Sequence, residues 1–548
     1  MAIKNLKSLL FTFCLIILCT STTQAQYSFY DSALGSDGLY RQKWNVLHYE
    51  IFVEPDINSK TISGYNNVTF FDNGAQLMQI DLKQPMQVDK IEGKFGDINF
   101  RRDSNIVWVM LRDTAAKFKI NPDTNFIKIY FSGKPKIARN PPWDGGWVWK
   151  KDAYKNPWIS VACQGEGGSL WYPCKDANFD KPELGATLKI KVPDSLEAVG
   201  NGRLANVTFD SAGKKTFTWV VTAPISTYNI VPYIGKYVPI EDVYTGEKGT
   251  LTLDYRILYY NKDKAAKHFT QVKEMLKAFE FWFGPYPFYA DGYKVVEAPF
   301  LGMEHQSAIA YGNNFKQGYY GTDLSKSGWG LKWDFIIIHE SGHEWFGNSI
   351  SYRDVADMWI NEGFTNYSEV LFTDYYYGLN AGNEYLTGLK NNIKNDIPVT
   401  GVYGVHNEGS DDMYYKAAAM IHIIRQLVNN DDKFRKMLRE MNKKFYHSYV
   451  SAAEIENFII SYTGLKISKV FEQYLHTVKV PELNVKINKK HLYYKWSNCV
   501  EGFNMPVKII TSQGKKILLH PSEKIKRIKI SGNSITVDKN FYVTLTFN

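Results

Sequence analysis

The amino-acid sequence predicts an α+β multidomain protein with an all-β N-terminal region, a mainly helical middle and a small β-rich end. Hydrophobic residues alternate with polar ones in short runs from Tyr40 to about Ile240, recur at helical spacing from Val272, and alternate again after Pro481. Period two marks half-buried strands and period 3.6 marks amphipathic helices. At 548 residues, 44% hydrophobic and 22% charged, the chain is long enough for several packed cores and has ordinary globular composition.

The first 25 residues stand apart. Lys4 and Lys7 precede the apolar run Leu9 to Leu18, and Ser21-Thr22-Thr23-Gln24-Ala25 ends in small residues, the layout of a secretory signal peptide. Export to a periplasmic or extracellular location is therefore expected. A lipid anchor on Cys19 is disfavoured, because Leu18 before it is bulkier than such signals take. No later stretch reaches the roughly 20 apolar residues of a membrane span.

Removing Lys4 and Lys7 with the leader lowers the net charge from +9 to +7, too little to argue for nucleic acid. Val480 to Asn548 holds 12 Lys and Arg against 4 Asp and Glu, which reads as a solvated strand face. Cys163, Cys174 and Cys499 remain, too few for a disulfide framework. Either Cys163 pairs with Cys174 and leaves Cys499 over, or all three are free thiols.

Strands are expected at Tyr49-Glu50-Ile51-Phe52-Val53 and Thr187-Leu188-Lys189-Ile190-Lys191-Val192, between Asp, Asn, Gly and Pro turns. The helical middle opens near Gly249. Val272, Met275, Leu276, Phe279, Trp282 and Phe283 share a helical face that Gly284-Pro285 ends. Asp334 to Phe346 predicts a buried helix stopped by Gly347-Asn348, and a second helix follows Asn361. A third places Met413, Ala417, Met420, Ile421, Ile424 and Leu427 on one face, with Ser410 or Asp411 as its cap. Runs such as Leu483-Asn484-Val485-Lys486-Ile487 and Val507-Lys508-Ile509-Ile510 then form a small β-domain. The expected division is a leader over 1–25, a β-domain over 26–245, a helical domain over 246–478 and a second β-domain over 479–548.

The chemistry lies in His339-Glu340-Ser341-Gly342-His343. Four residues apart on a helix, two imidazoles leave one face about 6 Å apart, so both nitrogens reach one ion at about 2.0 to 2.1 Å. Glu340 projects beside that face, placed to take a proton from water rather than to bind the ion. Glu362 follows His343 after 18 residues on the next helix and completes a two-His, one-carboxylate set with a fourth position open. Such N and O donors favour one zinc ion, with cobalt or manganese also compatible. Glu344, Asn348 and Asp357 stand where they would orient the ligands.

With His48-Tyr49, Trp171-Tyr172-Pro173-Cys174-Lys175-Asp176, Phe283-Gly284-Pro285-Tyr286-Pro287-Phe288, and the run from His339 through Phe346-Gly347-Asn348 to Trp359-Ile360-Asn361-Glu362-Gly363-Phe364, the sequence resembles the M1 family of zinc aminopeptidases. That group of gluzincins includes aminopeptidase N and leukotriene A4 hydrolase. The resemblance implies a β-saddle N-terminal domain, a thermolysin-like catalytic domain and a small C-terminal β-sandwich. Larger relatives carry a further C-terminal helical domain, and no helical sequence follows the last strands here, so a more open cleft is expected.

It also implies roles. Leu301-Gly302-Met303-Glu304-His305 aligns with the family's Gly-x-Met-Glu-Asn, so Glu304 is expected to hold the substrate's α-amine, with Gly302 and Met303 beside the substrate. Leu301 and His305 depart from that pattern. Cys163-Gln164-Gly165-Glu166 aligns with Thr-Gln-x-Glu and makes Glu166 a second amine contact. Tyr414-Tyr415-Lys416-Ala417 matches Tyr-x-Lys-Gly, which selects Tyr414 for the transition state, with Tyr415 as the alternative. The implied activity is removal of single residues from peptides with a free N-terminus. Alternatives are an endopeptidase or epoxide hydrolase on the same zinc, or a non-catalytic peptide- or envelope-binding protein.

Overall fold

The computed structural model describes residues 27–547 apart from 36, 95, 112–124, 164 and 178, so the expected leader lies outside the described residues. Among those described, no helix is long and apolar enough to cross a membrane. The chain opens with α1 (Phe29–Gly35), which buries none of its residues.

Alternating apolar residues then build sheets. Trp44–Asp56 and Thr61–Asp72 pair antiparallel at the centre of an eight-stranded sheet, and Ala186–Pro193 runs parallel to the first of them. Val46, Ile51 and Val53 on its inner face pack with Trp147, Ile159 and Val161 of a four-stranded sheet in one apolar core. Strand Tyr237–Gly246 turns back onto Gly249–Leu258, and the pair continues into a five-stranded sheet with Tyr293–Glu297, Ile309–Tyr311 and Gly302–Met303. The boundary expected after residue 245 falls at the tip of that hairpin. By its hydrogen bonds, strand Tyr237–Gly246 goes with the middle domain.

Four helices carry the middle domain's interior: α2 (Gln271–Phe283), α3 (Phe335–Gly342), α4 (Trp359–Tyr377) and α5 (Asp412–Val428). α2 stops where expected, at Gly284, whose φ of 94° suits glycine. α3 is shorter than the sequence predicts. Its last turn opens because the Gly347 amide donates to Ile350 O and the Asn348 amide reaches His343 O, a wide turn in place of helix. His343 keeps helical dihedrals, φ −63° and ψ −20°, so its side chain stays in line with His339. α4 begins two residues before Asn361, which puts Glu362 in its first turn. Of the two caps expected for α5, Ser410 does the work: its Oγ accepts from the Asp412 amide at 3.1 Å, while Asp411 pairs with Lys394.

Small residues set the helix spacing. A Cβ at Gly342 would stand 2.5 Å from Ser368 Oγ, and one at Gly363 would stand 2.7 Å from Ala417 Cβ, so α3, α4 and α5 approach closely only with glycine there. The C-terminal unit is two sheets of four and three strands, and Leu483, Leu492, Trp496 and Ile509 extend the middle domain's core. Cys163, Cys174 and Cys499 are free thiols, so the two alternatives resolve against pairing.

The start of α3 is held by fully buried Asp334. Its carboxylate accepts from the amides of Ile336 and Ile337 at 2.9 and 3.3 Å, from Tyr311 Oη at 2.7 Å and from Asn313 Nδ2 at 2.9 Å, and meets His268 Nε2 at 2.6 Å. Asp334→Ala strands these donors, and is expected to lower stability by about 2–4 kcal/mol. Asp334→Asn, which keeps one acceptor for the cap, is expected to lose less, measured as the shift of the urea midpoint.

Candidate metal centre

α3 and α4 cross so that His339, His343 and Glu362 meet. His339 Nε2 and His343 Nε2 lie 3.7 and 3.3 Å from Glu362 Oε2. Donors about 2.0–2.1 Å from a tetrahedral ion stand roughly 3.3–3.4 Å apart, so these separations suit a single zinc. The other ring nitrogens decide which face carries the lone pairs. His339 Nδ1 sits 2.6 Å from Glu369 Oε1, and His343 Nδ1 sits 3.0 Å from Phe346 O. Carboxylate and carbonyl are acceptors only, so both Nδ1 atoms carry hydrogen and both Nε2 lone pairs face Glu362.

The electrostatics agree. Burial works against charge on His339 and His343, yet Glu362 outweighs it at both rings, joined by Glu369 at His339, and raises their pKa values. Burial would likewise raise Glu362, but the two imidazoles hold it below the usual carboxylate range. The cluster favours positive charge among its atoms, which a divalent ion on two nitrogens and one carboxylate supplies. The residues present fit zinc.

Glu369 escaped the sequence reading. It lies seven residues after Glu362, two turns along the same face of α4, and is itself held by Tyr385 Oη at 2.6 Å and Asn366 Nδ2 at 2.9 Å. That spacing was the available signal. The three residues expected to orient the ligands do other things. Glu344 accepts from Tyr286 Oη and the Ser307 amide at 2.6 and 3.1 Å, and Asp357 accepts from Tyr403 Oη and the Ala452 amide at 2.6 and 2.9 Å. Asn348 Nδ2 donates to Glu304 O at 2.8 Å, so it braces the loop beside the ligands.

Around the ligands stand the other expected residues. Carboxylate oxygens of Glu304 and Glu340 and a nitrogen of His343 lie within 4.8 Å of one another. Burial pushes up the pKa of Glu340, which is 8% exposed, and that of Glu304, which is 4% exposed. Gly302 is needed here, because a Cβ would stand 2.8 Å from Glu340 Oε1. Tyr414 stacks 6.2 Å from the His339 ring, and its hydroxyl feels Glu362, Glu304 and Glu340. Tyr415 instead feels Glu369, Tyr319 and Asp411, so Tyr414 is the tyrosine that faces the cluster.

One expectation is corrected and one is qualified. Met303 is 1% exposed and packs in the N-terminal core rather than facing a substrate. Glu166 lines the same pocket as Glu304 and Glu362, but Lys83 and Lys136 both pair with its carboxylate and already balance its charge. Leu301 and His305 are core residues; His305 Nδ1 meets Tyr233 Oη at 2.5 Å, and burial pushes its pKa down to about 3, leaving the ring neutral.

Residues 268–474, which contain every ligand, match the Peptidase family M1 domain. The chain therefore contains a segment that matches the family M1 peptidase domain. The chain is 22% identical over 564 residues to probable aminopeptidase 2 of Sulfurisphaera tokodaii, covering 92% of itself and 65% of that protein. With aminopeptidase B of Mus musculus it shares 26% over 326 residues, 56% of this chain and 46% of the other. It thus spans about half to two thirds of the length of these curated relatives. A crystallised M1 zinc metallopeptidase of Deinococcus radiodurans with a Tyr-Ser-Ala substrate has the same fold, at a TM-score of 0.65 and 18% identity, over 82% of this chain and 98% of that one.

Glu362→Gln and His343→Ala variants are expected to lose stoichiometric zinc by elemental analysis. Glu369→Gln is expected to retain zinc with about 10- to 100-fold weaker affinity, read by competition with a chromogenic chelator. Affinity equal to wild type would show that Glu369 does not orient His339.

Proposed function

We propose that the protein is a zinc aminopeptidase that hydrolyses the first peptide bond of peptides with a free N-terminus. One observation carries this reading: Glu304 places a buried carboxylate beside Glu340 and His343, within 4.8 Å. Burial raises the pKa of Glu304, and an ammonium group paired with it would favour its carboxylate form. The names of the relatives support it.

Zinc in this site supplies Lewis acidity for the scissile carbonyl and acidifies a water beside it. The chain's own groups do the rest. Glu340 takes the proton of the attacking water and passes it to the leaving amine. Tyr414 donates a hydrogen bond to the oxygen that gains charge. Glu304, fixed through Asn348 and Tyr228, pairs with the α-ammonium and so measures one residue back from the scissile bond. Glu166, already neutralised by its lysines, adds a weaker acceptor. The protein acts outside the cytoplasm, a reading supported by the basic, apolar and small-residue order of its first 25 residues.

The decisive experiment uses aminoacyl reporters beside N-acetylated peptides of the same sequence. Free-amine substrates are expected to be cleaved and the acetylated ones spared; equal cleavage of both would mark an endopeptidase. Glu340→Gln is expected to keep its zinc and lose turnover. Tyr414→Phe should lower kcat by about a hundredfold to a thousandfold with KM little changed. Glu304→Gln should act mainly on KM.

A further inference from the structure

One pocket is lined by Glu304 and Glu362, by Phe179, Tyr228, Val355 and Met358, and by Leu34 and Gly35 of α1. A substrate with its ammonium on Glu304 and its carbonyl at the ligand cluster has its first side chain next to this space. Charged groups such as Glu166, Asp176, Arg353 and Asp354 also line it, so the part that suits an apolar side chain is the one formed by Leu34, Phe179, Val355 and Met358.

The closing wall is unusual in origin. α1 contributes no buried residue to any core, yet it is tied down by its backbone. Arg41, fully buried, donates from Nη1 to Leu34 O at 2.9 Å, and Gln79, 3% exposed, donates from Nε2 to Ala33 O at 3.2 Å. Tyr30 Oη adds a bond to Asp103 at 2.7 Å. On its other side α1 abuts the loop before α5: a Cβ at Gly35 would stand 2.2 Å from Val405 C and 2.5 Å from His406 N. His406 Nε2 in turn meets Gly165 O at 2.8 Å. Segments far apart in sequence thus seal one end of the cleft. The helix is held for position rather than for burial.

We propose that α1 is the outer wall of the pocket for the substrate's first side chain, and that Leu34 sets its depth in favour of compact aliphatic residues over large aromatic ones. This rests on the aminopeptidase reading. The side chain of Leu34 is half-buried and meets the pocket, so its loss deepens the space without opening a core. A bulkier residue at Gly35 prises the whole helix from His406 and has the same effect by a different route.

The test compares wild type, Leu34→Ala, Leu34→Trp and Gly35→Val, each checked for stoichiometric zinc, on alanyl, leucyl and tryptophanyl reporters. The tryptophanyl-to-alanyl ratio of kcat/KM is expected to rise about tenfold in Leu34→Ala and to rise in Gly35→Val, while Leu34→Trp lowers the leucyl-to-alanyl ratio. Ratios unchanged across both Leu34 variants overturn the proposal and leave the aminopeptidase reading intact. Thermal shifts with free L-alanine, L-leucine and L-tryptophan read the pocket without turnover. If zinc-loaded wild type cleaves no reporter, the aminopeptidase reading fails. In that case a Leu34-dependent change in the order of these shifts still upholds the wall, and an unchanged order overturns it.

Discussion

Two imidazoles and three carboxylates are buried at one place, and much of the middle domain is arranged around that concentration of charge. A low-dielectric interior does not tolerate such a group unless opposite charges and hydrogen bonds balance it. The helices answer in detail. Gly342 and Gly363 let α3, α4 and α5 approach until Glu362 reaches both Nε2 atoms, and Glu369 fixes the His339 ring from two turns further along α4. Asp334 starts α3 at the register that puts His339 and His343 on the inner face.

The N-terminal half takes part in the site as well as supporting it. Lys181 Nζ donates to Asn348 O at 2.6 Å and Asn229 Nδ2 donates to Asn348 Oδ1 at 2.6 Å, while Asn348 Nδ2 holds Glu304 O at 2.8 Å. Tyr228, from the same half, donates to Glu304 Oε1 at 3.2 Å. The position of the Glu304 carboxylate is therefore set by how the two halves dock. The ligand cluster is internal to α3 and α4. Loop 301–305 connects the two: Gly302 passes beside Glu340, and Glu304 turns its carboxylate toward His343.

A buried ligand set with paired outer nitrogens is rigid, and the flanks of the cleft are less so by construction. α1 and the loop before α5 are joined by backbone proximity and a few hydrogen bonds rather than by core packing. The metal ligands sit on buried helices, whereas α1 and the loop before α5 lie at the edge of the pocket beside them.

The sequence by itself determined the order of sheets and helices, because period two and period 3.6 are local patterns that tertiary context rarely overrides over long runs. It also determined the ligands. A pair four residues apart on one helix is fixed by helical geometry, and Glu362 was found by its spacing from that pair. What lay beyond one helix's geometry needed the tertiary structure. Glu369 is legible only once α4 is known to continue past Glu362 on the same face. The burial of Met303 and the pairing of Glu166 with Lys83 and Lys136 are settled by packing between distant segments. The choice of Tyr414 over Tyr415 is a rotation of α5 against α3. The place of Leu34 and Gly35 in the pocket lining left no mark in sequence, since α1 buries nothing and is held by Arg41, Gln79 and the loop at His406.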